Sequence, residues 1–182
     1  MNSLDLHLNG EVVLPYNLYQ GKVQELLLKL RSAHLSPLGA AHFSRRLEEV
    51  TESPEVFQEW SNLCPVLGDG IAIHPYGSVR IFRGNEKLWN DLAVSTLREG
   101  VVELAGNSYS ALEGHYIIGM KRLNKEKFKQ EIFSYFDLSA EGRDFFFPIK
   151  DFPYLTLLAF NNGTKILGAS RLDDQANLIG IR

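Results

Sequence analysis

Short runs in which apolar and polar residues alternate occur near both ends of the chain and in its middle. The terminal runs flank the dipeptides Asn9-Gly10 and Asn162-Gly163. Such a pair favours a two-residue type I′ turn, because that turn needs a positive φ at both positions. The pattern therefore predicts antiparallel hairpins around both dipeptides. The predicted strands span residues 4–8, 11–14, 70–75, 78–83, 101–105, 116–120, 145–149, 154–160, 165–171 and 177–181.

Apolar residues spaced three or four positions apart predict helices between these strands. Each predicted helix begins with residues that are typical of a helix N-terminus, because their side chains can accept a free backbone N–H or because proline suits the first turn. These residues are Asn17 with Gln20 (a capping box), Ser36-Pro37, Ser53-Pro54, Asn85 and Asn124. The predicted helices span residues 18–33, 37–50, 54–63 and 86–99, with a fifth opened by Asn124. Gly100 follows the fourth helix at the position where a left-handed residue commonly ends one.

This alternation predicts an α+β fold in which amphipathic helices pack on a mostly antiparallel sheet. The order from residue 11 to residue 105 is compatible with a ferredoxin-like β-α-β-β-α-β arrangement carrying two inserted helices. No linker or shift in composition divides the chain, so we expect one domain over residues 1–182. A helical subregion at 17–63 and a strand-rich C-terminal region at 145–182 are the parts that could form subdomains.

Charge and composition favour a soluble cytoplasmic protein. The 19 basic and 22 acidic side chains give a net charge of −3, which offers no general attraction to nucleic acid or to an anionic membrane. We therefore expect weak or no nucleic-acid binding at physiological salt and no membrane partner. Neither a secretory signal nor a spanning apolar stretch is visible. Cys64 is the only cysteine, and its apolar neighbours favour an inert thiol.

The sequence carries no local signature of a cofactor, a metal site or a catalytic nucleophile. The five histidines are not spaced as metal ligands, and no nucleophile motif is present. Gly68-Asp69-Gly70 precedes a predicted strand, whereas a phosphate-binding loop leads into a helix. We therefore expect a turn at Gly68-Asp69-Gly70, and neither a cofactor nor a metal ion.

One concentrated basic patch comprises Lys121, Arg122, Lys125 and Lys129. It could follow a phosphate backbone. Lys125 and Lys129 also share a helix face opposite Phe128, where any amphipathic helix places its lysines. The solvated helix face is the preferred interpretation.

The central hairpin offers the most specific candidate site. A two-residue loop at Tyr76-Gly77 would divide the aliphatic residues between both faces, whereas a three-residue loop at 75–77 places them all on one face. Proline and glycine suit the first and last positions of that longer loop. The opposite face then carries a histidine, a hydroxyl, an arginine and an aromatic ring, which could bind an anion or a partner or could meet solvent. The candidate residues are His74, Tyr76, Ser78, Arg80 and Phe82.

Two functional hypotheses follow. The first is a binding or regulatory protein without a catalytic motif, which engages an unknown macromolecular partner or a small anionic ligand. The alternative is an enzyme acting on a phosphate-containing substrate, such as RNA. In that case His74 would act as general acid or base and Arg80 would stabilise the developing charge.

Overall fold

A computed structural model describes the backbone of residues 2–8, 11–112, 115–117 and 124–182, and the side chains of residues 16–112 and 124–182. The strands are β1 (Asn2–Leu8), β2 (Glu11–Lys22), β3 (Ser36–Pro37), β4 (Pro65–Ile73), β5 (Val79–Phe82), β6 (Val102–Glu103), β7 (His115–Ile117), β8 (Asp144–Phe146), β9 (Tyr154–Asn161), β10 (Ile166–Ala169) and β11 (Gln175–Ile181). The helices are α1 (Val23–Ser32), α2 (Ala40–Glu49), α3 (Pro54–Ser61), α4 (Glu86–Val94), α5 (Ser108–Ala111) and α6 (Lys125–Tyr135). None of the helices within these ranges has the length and apolar composition needed to cross a membrane.

The strands form one mixed sheet, which corrects the expectation of a mostly antiparallel one. Along the main path the strand order is β1-β2-β11-β4-β9-β10-β8. β4 runs parallel to β11 and antiparallel to β9, and β10 is parallel to β8. The α+β class is confirmed, but the ferredoxin-like order is not, because β11 separates β2 from β4. Turn residues in a sequence indicate only those strands that a tight turn joins. Parallel neighbours are joined by long connections, so turn residues do not indicate the parallel pairs.

The sheet is buried on both faces, and each face carries its own hydrophobic core. Along β4, Ile71 and Ile73 belong to one core while Ala72 belongs to the other. Helices α2, α3 and α6 contribute buried residues to the first core, and helices α1 and α4 contribute to the second. β9 likewise contributes to both cores, which accounts for its nearly uninterrupted apolar sequence.

Residues 17–22 continue β2, so the predicted capping box at Asn17 and Gln20 is wrong. Tyr16 and Leu18 are buried on one side of the strand, and α1 begins only at Val23. The side-chain Nε2 of Gln20 donates to Oδ1 of Asn177 on β11 at 3.0 Å. Pairing of this segment with β11 is more favourable than the helix that its local spacing indicates. The pairing forms hydrogen bonds with the backbone groups on the strand edge and buries alternate side chains.

The Ser36-Pro37 pair is also not a helix N-terminus. These two residues form β3 and pair with β11, and α2 begins three residues later at Ala40. Ser53-Pro54 does open a helix as predicted, since Pro54 is the first residue of α3. The two pairs differ in tertiary context, because only Ser36-Pro37 lies beside a strand with which it can pair.

Gly68-Asp69-Gly70 lies inside β4, and the predicted turn is wrong. Every residue of β4 is buried. The indole Nε1 of Trp89 donates to the Gly68 carbonyl at 2.7 Å, and a Cβ on Gly70 would come within 2.3 Å of the Phe82 ring. These glycines therefore permit close packing of neighbouring groups rather than a reversal of the chain.

Two asparagine caps predicted from the sequence are confirmed. Oδ1 of Asn85 accepts the backbone N–H of Leu88 at 2.9 Å at the start of α4. Oδ1 of Asn124 accepts the backbone N–H of Glu126 at 2.8 Å at the start of α6. Both asparagines therefore satisfy an N–H that lacks a partner within its helix.

The predicted end of α4 at Gly100 is wrong, because the helix already ends at Val94. Glu99 and Gly100 instead form a tight turn with φ values of 52° and 79°. The Arg98 N–H donates to the Val101 carbonyl at 2.8 Å across this turn. Gly100 thus adopts the expected left-handed conformation, but in a hairpin.

At the other predicted turn, Asn162 and Gly163 have φ values of 51° and 66°, as a type I′ geometry requires. The predicted two-residue turn is nevertheless wrong, because Asn161 pairs with Ile166 and the loop spans the four residues 162–165. The Asn9-Gly10 dipeptide and residues 118–120 of a predicted strand lie outside the described residues.

Candidate functional site

The register of the central hairpin is as predicted for the three-residue loop. Ile73 pairs with Val79, and Ile71 pairs with Ile81. All four side chains are fully buried in the first core. The Gly77 N–H donates to the His74 carbonyl at 2.8 Å to close the turn.

The opposite face of this hairpin is largely covered by the second core. Ala72 is fully buried, and Phe82 packs against the apolar side chains of that core. His74, Ser78 and Arg80 are half-buried, whereas Tyr76 at the loop tip is 83% exposed. The five candidate residues thus lie on one face, but only its loop end meets solvent.

Tyr109, which is 6% exposed, connects the polar residues of this face. Its hydroxyl lies 2.9 Å from Oγ of Ser78 and shares a hydrogen bond with it. The ring centroids of Tyr109 and His74 are 5.1 Å apart, and the guanidinium carbon of Arg80 lies 5.4 Å from the Tyr109 centroid. Nη1 of Arg80 donates to the Leu112 carbonyl at 3.3 Å. Sequence reasoning missed Tyr109, because it lies in a connection without a periodic pattern.

The predicted basic patch is described only in part, since Lys121 and Arg122 lie outside the described residues. Nζ of Lys125 lies 3.0 Å from Oδ2 of Asp144, and Nζ of Lys129 lies 3.9 Å from Oε2 of Glu126. A hydrogen bond from the Phe145 N–H, followed by the contact with Lys125, lowers the pKa of Asp144. Both described lysines therefore have carboxylate partners.

A second basic surface, which no run in the sequence indicates, surrounds residues 35–39. Three adjoining cavities of about 520, 320 and 250 Å³ lie around this segment and share lining residues such as Pro37 and His42. We call the three cavities together the basic groove. Its basic lining residues are Arg31, His34, His42, Arg45, Arg46, Arg83 and Arg182.

These basic residues come from four separate parts of the fold. Arg31 lies in the last turn of α1, and Arg83 and Arg182 directly follow β5 and β11. His42, Arg45 and Arg46 lie in α2 at positions i, i+3 and i+4, which share one side of a helix. The groove thus exists only in the folded protein.

The buried carboxylate of Asp69 fixes the position of α2 beside the groove. Asp69 is 5% exposed. Its Oδ2 accepts the N–H of Ala40, the first residue of α2, at 2.5 Å, and its Oδ1 accepts the N–H of Gly84 at 3.0 Å. A carboxylate at a helix N-terminus is favoured by the helix dipole. Asp69 therefore links the helix that carries three groove cations to the loop that carries Arg83.

His34 has a left-handed backbone with a φ of 55° at the end of α1. The His34 N–H donates to the Arg31 carbonyl and the Leu35 N–H donates to the Leu30 carbonyl, which is the Schellman arrangement. Glycine is the usual residue at this position, because a Cβ strains the left-handed conformation. The sequence places an imidazole there, on the wall of the groove.

Carboxylates neutralise only part of this charge. Arg46 pairs with Glu49, and Nη2 of Arg83 lies 3.5 Å from Oδ2 of Asp137 at an exposed position. Arg31, Arg45 and Arg182 form no ion pair with any residue in the described part of the chain. Asp69, Glu86 and Asp137 also line the cavities, so the lining is mixed in sign, with five arginines against three carboxylates.

Tyr16 forms the floor of the 520 Å³ cavity. Its ring is 3% exposed, and the guanidinium carbon of Arg46 lies 5.7 Å from the ring centroid. Burial raises the pKa of Tyr16, and the positive charge of Arg46 partly opposes this shift. The hydroxyl therefore stays protonated at neutral pH.

A separate open cavity of about 720 Å³ lies beside Cys64 and Asn177. Two of its amide groups bond to protein atoms: Gln20 donates to Asn177, and Nδ2 of Asn177 donates to the Leu63 carbonyl at 2.7 Å. Sγ of Cys64 accepts the Gly163 N–H at 3.2 Å. These bonds connect β11 to the residues before β4, and those residues to the loop after β9, so we assign the polar groups beside this cavity a structural role.

Within the described residues, no group of three or more His, Cys, Asp and Glu side chains is placed to hold a metal ion. Comparison with known proteins gives no assignment: neither a family model, nor a curated protein, nor a solved structure matches this chain.

Proposed function

We propose that this protein binds a small organic anion, a phosphate or a carboxylate, in the basic groove and does so without catalysis. The observation that carries the proposal is the convergence of five arginines and two histidines on three adjoining cavities, in a chain whose net charge is −3. Arginines outnumber carboxylates five to three along the lining of these cavities.

The chemistry of the five arginines, which form most of the basic lining, supports binding rather than proton transfer. Guanidinium groups keep their charge at all physiological pH values and present planar pairs of N–H donors that match carboxylate and phosphate oxygens. They hold an anion well but do not exchange protons with it. The cavities of about 320 and 520 Å³ fall in the lower range of known small-molecule sites, about 300–1,000 Å³, and the cavity of about 250 Å³ falls just below it.

The enzymatic alternative with His74 and Arg80 stays a prediction and ranks second. Arg80 is already engaged by the Tyr109 ring and the Leu112 carbonyl. His74 contacts the same buried ring, so a substrate held by both groups would have to displace Tyr109. Cytoplasmic location and a macromolecular partner likewise stay predictions from the sequence.

The proposal is tested by calorimetric titration of the full chain with inorganic pyrophosphate at low salt. We expect measurable binding that weakens at least tenfold between about 20 and 200 mM salt, because the contacts are ionic. The Arg45→Gln variant should bind more weakly, because Arg45 has no competing carboxylate.

Arg171→Gln is the matched control. Arg171 is exposed and pairs with Asp173 away from the groove. Equal weakening in both variants would indicate a general charge effect, and an absence of binding at low salt would contradict the proposal. Tighter binding of a single-stranded oligonucleotide than of pyrophosphate would instead favour a nucleic-acid partner.

A further inference from the structure

We propose that the anion bound in the basic groove is amphipathic: its apolar body occupies the 520 Å³ cavity above Tyr16, and its anionic head group lies against Arg46 and His42. This inference rests on the proposed function and specifies the class of ligand. It concerns one cavity of the three, which we call the Tyr16 cavity.

The walls of the Tyr16 cavity are more apolar than a site for a bare inorganic anion requires. The half-buried Leu35 and Ile181 present apolar surface to the cavity, and the almost fully buried Leu38 and Tyr16 lie behind that surface. Apolar surface of this kind gains free energy when an apolar ligand displaces water from it. Inorganic phosphate would leave that surface wet.

The basic groups of the Tyr16 cavity come from two elements of the fold. His42 and Arg46 lie one turn apart on α2, and Arg182 follows β11. Arg46 uses Nη1 for its bond to Glu49. A guanidinium has five N–H donors in a planar fork, so Arg46 can hold a second carboxylate through its remaining donors.

The volume of the Tyr16 cavity limits the size of the apolar body that it can hold. At about 520 Å³, the cavity lies within the range of known small-molecule sites, about 300–1,000 Å³. A straight-chain carboxylate such as decanoate, with ten carbons and two oxygens, fits within that space. An aromatic carboxylate of similar volume would fit as well, and both share the chemistry that we propose.

The test compares three probes on the full chain by calorimetry: decanoate, 1-decanol and pyrophosphate. We expect decanoate to bind at least tenfold more tightly than 1-decanol, because only decanoate carries the charge. Arg46→Met should remove that difference while keeping the apolar stem. Arg171→Met, at an exposed arginine that pairs with Asp173 away from the groove, should leave decanoate binding within about twofold.

A second variant keeps the test decisive if Arg46→Met unfolds. Asn17→Phe adds volume inside the Tyr16 cavity, the only one of the three that Asn17 lines, and should weaken decanoate binding while leaving pyrophosphate binding within about twofold. Pyrophosphate binding without decanoate binding would overturn this inference alone. Equal affinity for decanoate and 1-decanol would overturn it too, because it would mark a purely apolar cavity. Binding of neither anion would overturn the proposed function as well.

Discussion

The carboxylate of Asp69 accepts the backbone N–H of Ala40 at 2.5 Å, across 29 positions of sequence, and thereby anchors the start of α2 on the central strand. The other carboxylate oxygen accepts the Gly84 N–H. Asp69 lies where β4 changes its pairing, because β11 pairs with residues 65–66 and β5 pairs with residues 70–73. The interruption of the ladder leaves room for a side chain that binds backbone groups of neighbouring segments.

Replacement of Asp69 by alanine should therefore destabilise the whole protein. The variant leaves two N–H groups without their acceptor, and each buried unsatisfied group costs about 1–3 kcal/mol. We expect a loss of about 2–5 kcal/mol in the free energy of unfolding, measured by urea denaturation. Asp174→Ala is the control, since Asp174 is exposed, and it should change stability by no more than about 0.5 kcal/mol. Equal stability of both variants would contradict this role of Asp69.

The central hairpin gives a second prediction, through two residues three positions apart. Ile73 is fully buried in the first core, so Ile73→Ala should cost about 2–5 kcal/mol of unfolding free energy. Tyr76 is 83% exposed at the loop tip, so Tyr76→Ala should stay within about 0.5 kcal/mol of the wild type. Urea denaturation of both variants checks the pair, and a reversed order would show that the register is wrong.

The sequence predicted this hairpin because each signal was local and agreed with the others. The alternation around residues 75–77 admits only one register that buries all four aliphatic side chains, and the positions of Pro75 and Gly77 select the same loop. The caps at Asn85 and Asn124 were predictable for the same reason, since a cap and its target N–H lie within three residues.

The sequence could not predict features that depend on distant partners. Gly68-Asp69-Gly70 has the composition of a turn, yet contacts with Trp89, Gly84 and Ala40 hold it as buried strand. Residues 17–22 have helical spacing, yet they pair with β11 from the other end of the chain. The basic groove was missed because its cations are scattered from Arg31 to Arg182. Only the strand order of the sheet brings them together.

The left-handed conformation of His34 leads to a third prediction. His34→Gly removes the Cβ strain, so we expect the unfolding free energy to rise by about 1 kcal/mol. Ala33→Gly, at a φ of −89°, should instead lower it by about 0.5–1 kcal/mol. If the imidazole contacts the bound anion, His34→Gly should also weaken pyrophosphate binding. A substitution that stabilises the fold but weakens binding is typical of a residue retained for function. Stability would be measured by urea denaturation and binding by calorimetry. If His34→Gly lowered the free energy of unfolding, the contacts of the His34 side chain would stabilise the protein by more than the left-handed backbone of His34 destabilises it.

Tyr154 gives a prediction about alkaline pH. Its ring is buried in the first core, and its hydroxyl donates to the Pro148 carbonyl. Burial raises the pKa of Tyr154 far above its ordinary value of 10. The unfolded chain therefore loses this proton near pH 10, while the folded protein keeps it. The stability that this group contributes is fully present below pH 10 and is lost as the pH rises above it, by up to about 1.4 kcal/mol per pH unit.

Comparison with Tyr154→Phe isolates this effect from other groups that titrate in the same range. The variant should be less stable by a constant amount between about pH 7 and 9, because it lacks the hydrogen bond to Pro148. Above pH 10 the two proteins should converge, since only the wild type has this proton to lose on unfolding. Urea denaturation at intervals of half a pH unit measures the difference. If the two stability curves stayed parallel up to pH 11, the phenol of Tyr154 would ionise as readily in the folded protein as in the unfolded chain, and its buried position would be wrong.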